Sequence, residues 1–207
     1  VFRVDLHVHT RHSGDNAAEP EAMVEAAMAR GLHGIAFTEH YFFDASEHAL
    51  NLAARYAGRI AVYRGVEYST AEGHCLVFGA DTDRLARMRM PLSVLVREVA
   101  AMGGVVIPSH PFRGGSGVGE LIRSVAGLCA VEGMNGANLH SMNVRATEMA
   151  RTMGLPVCGG SDAHAPEEVG SCYTEFSSSL EGEAALVAAL RAGAYTACDA
   201  RRISRLI

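Results

Sequence analysis

Two histidines one residue apart, His7 and His9, end a strand-like run, VFRVDLHV, with Asp15 a short distance beyond. In a strand, residues i and i+2 point to the same side, so the H-x-H pair can close on one metal ion. His40, Glu67, His110 and the pair Asp162/His164 share that address. Each falls at or just past the C-terminal end of a segment that reads as a strand. Histidines that serve only packing have no reason to choose strand ends repeatedly. In a βα barrel those ends lie on one face, where active sites are built.

The elements that must position these groups alternate. Strands are expected at 1–8, 33–40, 59–69, 73–80, 104–112, 128–136 and 155–164, with a further one around AYTAC. Helices are expected at 19–31, 46–58, 91–104, 118–127, 143–154 and 180–193. Pro20 suits a first helical turn, and Gly31 and Gly58 suit left-handed stops. Short apolar strands between amphipathic helices imply an α/β protein with a mainly parallel sheet. About seven such units fit a TIM-like barrel, (β/α)7, better than a five-stranded open sheet. No Pro/Ser-rich linker or charge block interrupts the chain, so one domain spanning 1–207 is expected.

Composition narrows the function classes. The chain has 207 residues, 49% of them apolar, and a formal net charge of −5. That charge argues against a protein that coats nucleic acid, and no stable nucleic-acid partner is expected. All 18 basic residues are Arg, which excludes a lysine Schiff base or a P-loop lysine. The five Cys form no C-x-x-C pair and read as buried free thiols. The start lacks a signal-peptide pattern, and no apolar run approaches the ~20 residues that cross a bilayer. A cytoplasmic location without membrane contact is the expectation. GGSGVG at 114–119 lacks the G-x-G-x-x-G spacing and a Walker lysine, and reads as a flexible substrate loop.

Taken in order, DLHVHT, FTEH, GVEYSTAEGH, PSHP and GGSDAH resemble the PHP (polymerase and histidinol phosphatase) family, from residue 4 to about 170. The likeness is to its small stand-alone members. The resemblance implies a distorted seven-stranded βα barrel holding two or three divalent ions (Mn, Fe or Zn). It also implies phosphoesterase activity with a metal-bridging hydroxide as nucleophile. Carried over residue by residue, it gives His7, His9 and Asp162 to a first ion, with Glu67 bridging to a second. His74 and His110 complete the second ion's set. Asp15, His40 and His164 hold a third. One departure is visible: many members read T-D-H where this chain has Thr38-Glu39-His40, which puts the supporting role of Glu39 in doubt.

Other residues stay open. Arg113 is either a grip for phosphate oxygens or a solvated loop arginine. Arg11 and His12 are either exposed or substrate-contacting. His140, in a loop-like stretch, is either a leaving-group acid or a residue without a role. Asn135 and Asn143 read as turn and cap residues.

The expected activity is hydrolysis of a phosphate ester of a small metabolite or nucleotide. The alternatives are a 3'-5' nuclease on short oligonucleotides, an amide or lactone hydrolase, and a catalytically silent metal-binding regulatory module. Oligomeric state is left open.

Overall fold

A computed structural model describes residues 1–85 and 89–201; the one-domain expectation over 1–207 also takes in residues outside these. Among the described residues nine strands and five α-helices follow one another: β1 (Phe2–Val8), α1 (Pro20–Ala29), β2 (Gly34–Phe37), α2 (His48–Arg55), β3 (Ala61–Ser69), β4 (His74–Phe78), α3 (Leu92–Ala101), β5 (Val105–Pro108), β6 (Val131–Asn135), α4 (His140–Met153), β7 (Val157–Gly160), β8 (Cys172–Phe176), α5 (Gly182–Ala192) and β9 (Tyr195–Asp199). The expected helix at 118–127 is a 3-10 segment, Gly119–Ser124. His140 opens α4 instead of lying in a loop.

Seven strands form one curled sheet, in the order β5-β4-β3-β2-β1-β8-β9, and β6 pairs with β7. The ring closes at the C-terminal end of β1. There Asp162 N donates to His7 O (2.7 Å) and His9 N to Ala163 O (2.9 Å). The result is a distorted TIM-like barrel. The expected mainly parallel sheet is corrected: β1–β2, β2–β3 and β6–β7 are parallel, whereas β3–β4, β4–β5, β1–β8 and β8–β9 are antiparallel. Too few residues separate β3 from β4 for a parallel crossover, so they form a hairpin. The sequence reading lacked β8, although its burial alternates with period two, as a strand with one covered face should.

A bulge in β1 decides where the first histidines point. Asp5 faces Ile35 but Val8 faces Phe37, so β1 holds one extra residue between them. Before it, Val4 and Leu6 pack into the barrel interior with Leu76, Phe78 and Ile107. After it, Val8 packs outward against Met23, Val24 and Ala27 of α1. The phase has inverted, and His7 and His9 face inward. Asp5 stays on the outer side, where it accepts Ser161 N (2.8 Å), Gly170 N (2.7 Å) and His7 N (3.3 Å). Burial pushes its carboxyl up to about 6, with these donors acting in opposition. At the opposite end of the barrel, Leu186, Val187 and Leu190 of α5 join the interior cluster and plug it.

The seam between β7 and β1 is too close for a side chain. A Cβ on Gly160 would lie 2.5 Å from His7 Cβ and 2.7 Å from His7 N. Gly160→Ala is therefore expected to destabilise the fold by about 1–3 kcal/mol, the usual cost of overpacking. Urea unfolding should record it as a lower midpoint at unchanged slope.

Candidate metal centre

All nine residues expected to donate to metal lie at the mouth defined by the C-terminal strand ends. His7 and His9 leave β1, and His40 follows β2. Glu67 is near the end of β3, His110 follows β5, and Asp162 and His164 follow β7. His74 opens β4 and still reaches this mouth, because β4 runs antiparallel and starts where β3 ends.

Three overlapping groups result. In the first, His7 Nε2 and His9 Nε2 are 2.9 Å apart, and each is 3.3–3.5 Å from Asp162 Oδ1 and a Glu67 oxygen. In the second, Glu67 Oε1 lies 2.7 Å from His110 Nε2 and 3.3 Å from His74 Nδ1. In the third, Asp15 Oδ2 lies 3.0 Å from His40 Nε2 and 3.2 Å from His164 Nε2. His9, His40 and His164 also place one nitrogen each within 4.8 Å of one another. His7, His9, Glu67, His110 and Asp162 are almost dry, whereas His74, Asp15 and His164 are partly exposed.

The outer hydrogen bonds aim these donors inward. His7 Nδ1 is 2.8 Å from Glu132 Oε1, which turns Nε2 to the centre. Glu132 Oε2 accepts the His110 backbone N–H (2.8 Å) and Asn135 Nδ2 (3.0 Å). His9 Nδ1 is 3.1 Å from Ser13 Oγ, and that hydroxyl donates to Glu39 Oε2. Glu39 also accepts Thr10 N and Thr10 Oγ1. The unusual Glu39 is therefore a fully buried outer partner of His9. Ser109 Oγ donates to Glu67 Oε1 at 2.8 Å.

The electrostatics call for a cation. Burial alone would lower His7, but Asp162, Glu132 and Glu67 outweigh it and hold the ring well above its ordinary value. Burial, with His7 beside it, pushes His9 down to about 4. The surroundings of His7 thus favour a positive charge among the donors, which a metal ion can supply. Burial would raise Glu67 and Asp162, yet the histidines around them hold both well below the usual carboxylate range. His40 Nδ1 is buried and faces Glu67 Oε2 at 3.0 Å. Oriented nitrogens and ionised carboxylates packed this closely fit bound divalent ions. The donors are nitrogen and oxygen without sulfur, which suits Mn²⁺, Fe²⁺ or Zn²⁺.

The remaining candidates separate. Arg113 reaches the site, but its guanidinium already holds Asp162 Oδ2 (2.7 Å), Asn135 Oδ1 (2.8 Å) and Asn138 Oδ1 (3.0 Å). Asn135 is more than a turn residue, since it links Glu132, Asp162 and Arg113. Asn143 keeps to local duty, bonding Asn135 O and Asn138. Arg11 is exposed and pairs with Glu19, and His12 stacks on His48 at 4.4 Å. His140 is exposed at the start of α4. The glycines at 114–119 serve close approach as well as turning: a Cβ on Gly117 would meet Pro111 O at 2.2 Å, and His74 N donates to Ser116 O. Sequence reasoning missed Glu132, whose one signal was an acid inside an otherwise apolar strand.

A TIM-like barrel with histidine and carboxylate donors gathered at one mouth defines a metal-binding barrel protein. The chain belongs to the PHP family: the PHP domain model matches residues 5–103 and the PHP-associated model residues 140–195. No curated protein matches it. Among solved structures it resembles PsfC from Pseudomonas syringae (20% identity, TM-score 0.74, covering 99% of this chain and 95% of PsfC). It also resembles a two-domain protein from Bacteroides vulgatus containing a predicted PHP-like metal-dependent phosphoesterase (19%, 0.73, covering 96% of this chain and 64% of that one). An amidohydrolase from Chromobacterium violaceum, with bound sulfate and no metal, is similar as well (21%, 0.66, covering 81% and 89%). At these identities the likeness is one of fold. Among the described residues no helix is long and apolar enough to cross a membrane.

Glu132→Gln turns an amide N–H toward groups that already donate. It is expected to weaken metal affinity about 10–100-fold, the usual effect of losing an outer partner. Competition with a chromophoric chelator measures this, and circular dichroism should find the fold retained.

Proposed function

We propose that this chain is a metal-dependent phosphoesterase that hydrolyses a phosphate ester of a small metabolite or nucleotide. The observation that carries the reading is the convergence of six histidines and three carboxylates on one mouth, with Glu67 common to two groups. His7, His9 and Asp162 would hold one ion, His74 and His110 a second with Glu67 between them, and Asp15, His40 and His164 a third.

Divalent ions held there supply Lewis acidity that polarises a phosphoryl oxygen and activates water. The chain's own residues set the conditions for it. The three carboxylates offset half the charge of three divalent ions, so the mouth stays positive toward a phosphate dianion although the protein is acidic. Arg113 and Asn135 fix the second oxygen of Asp162. Burial excludes water from His7, His9, Glu67, His110 and Asp162, which strengthens their charge interactions. A short, mildly acidic chain suits a small substrate better than a polynucleotide. An amide or lactone hydrolase is the second reading, supported by the fold likeness to the Chromobacterium amidohydrolase.

Purified protein supplied with Mn²⁺ is expected to release p-nitrophenol from p-nitrophenyl phosphate or from its bis-ester, and to leave p-nitroacetanilide intact. Asp162→Ala and His9→Ala should each lower kcat/KM by on the order of 10³, several kcal/mol of transition-state stabilisation. Metal bound in stoichiometric amount with no ester turnover under Mn²⁺, Fe²⁺ or Zn²⁺ would overturn the reading.

A further inference from the structure

A cavity of about 330 Å³ opens beside His74, walled by Tyr41, Tyr68, the segment Ser69–Gly73, Arg89 and Gly115. It adjoins the second donor group, because His74 belongs to both. We propose that this cavity receives the leaving group of the ester, and that Arg89 selects leaving groups carrying a second anionic group, carboxylate or phosphate. This rests on the phosphoesterase reading above.

Three observations carry it. First, four non-glycine residues among those described have positive φ: His110 (30°), Asp162 (56°), Tyr41 (69°) and Arg89 (54°). Two are donors in the centre and the other two line this cavity. Strain of this kind costs about 1–3 kcal/mol per residue and gathers at functional sites. Second, Arg89 is exposed, and among the described residues it makes no hydrogen bond or ion pair. Arg113, Arg64 and Arg201, by contrast, are held by carboxylates. The acid in the same wall, Glu72, is engaged, since its Oε2 accepts the Leu92 N–H at 2.8 Å. Third, Tyr41 is pinned by its N–H to Glu67 O (3.1 Å), yet its ring is half exposed and sits 5.4 Å from the His40 ring. That gives the cavity an aromatic face next to the metal donors, suited to a planar or apolar group.

The placement fits the reaction. Hydrolysis forms a P–O bond from water and breaks the P–O bond to the alcohol, which departs with a proton derived from that water. With phosphate at the donors, the alcohol part must leave on a side away from them, and the cavity beside His74 offers that room. The loop along one wall is closed by its own hydrogen bonds. Thr70 Oγ1 donates to Gly73 O and accepts the Glu72 and Gly73 N–H groups, and a Cβ on Gly73 would meet Val118 N at 2.7 Å.

The test compares three aryl phosphates of similar leaving-group acidity: 4-methylphenyl, 4-(carboxymethyl)phenyl and 4-(phosphonomethyl)phenyl phosphate. The wild type is expected to prefer at least one charged ester by about tenfold in kcat/KM, the size of one charge-assisted contact. Arg89→Met should abolish that preference. The better of the two charged esters identifies the group that Arg89 takes. Binding is read separately by calorimetry with 4-hydroxyphenylacetate and 4-hydroxybenzylphosphonate against p-cresol, in wild type and Arg89→Met. An equal preference in both proteins, or none in the wild type, overturns the proposal. If no ester turns over, the phosphoesterase reading fails by itself. Arg89-dependent binding of either charged phenol would then still support the anion-selecting cavity, and its absence would overturn it.

Discussion

One buried carboxylate organises the barrel mouth. Glu67 is 1% exposed and has five imidazole rings within 3.5 Å of its oxygens: His7, His9, His40, His74 and His110. An ionised carboxylate withdrawn from water and left without partners would cost several kcal/mol. The surrounding rings offset that cost, His7 and His110 chiefly through charge and His40 through hydrogen bonding. Positive charge among these rings, as protons or as metal ions, is what holds Glu67 ionised most strongly. The strand ends that converge here are bound to one another through that charge, in addition to their ladders.

The same logic extends one layer outward. A histidine that presents one nitrogen to the centre has to place the other, and buried acids take this duty: Glu132 behind His7, and Glu39 through Ser13 behind His9. Asp5 is a buried acid of another kind, binding three backbone N–H groups where β1, β7 and the segment before β8 meet. The N–H groups it holds belong to chain segments that also carry donors, so site and seam share their hydrogen bonds. Loss of Asp5 would thus disturb metal affinity and barrel closure together.

Much of this was legible in the sequence, for a physical reason. Strand periodicity and ionisable strand ends are local signals, and a barrel turns them into one site whatever the loops do. His7, His9, His40, Glu67, His110, Asp162 and His164 could be read from that alone, with Asp15 and His74 following from the family resemblance. The strand β8 was not legible, because its alternation is short and sits among Gly and Ser. Nor were the outer acids: Glu132 and Asp5 lie in apolar strands, and their meaning depends on which residue stands behind them in space. The bulge in β1 left no local mark either, although without it His7 would face outward.

The antiparallel pair β3–β4 explains how so short a chain holds so many donors. In a regular βα barrel each strand end is separated from the next by a helix and its loops, so donors come one strand at a time. Here Ser69 pairs with His74 across a tight turn, and Glu67 pairs with Leu76. Glu67 and His74 thereby reach the same mouth without an intervening helix. The hairpin also gives up the helix that would have covered this side. What remains over the Ser69–Gly73 turn is the cavity lined by Tyr41 and Arg89. The distortion that concentrates the donors is thus the distortion that opens room beside them, and both follow from reversing one strand.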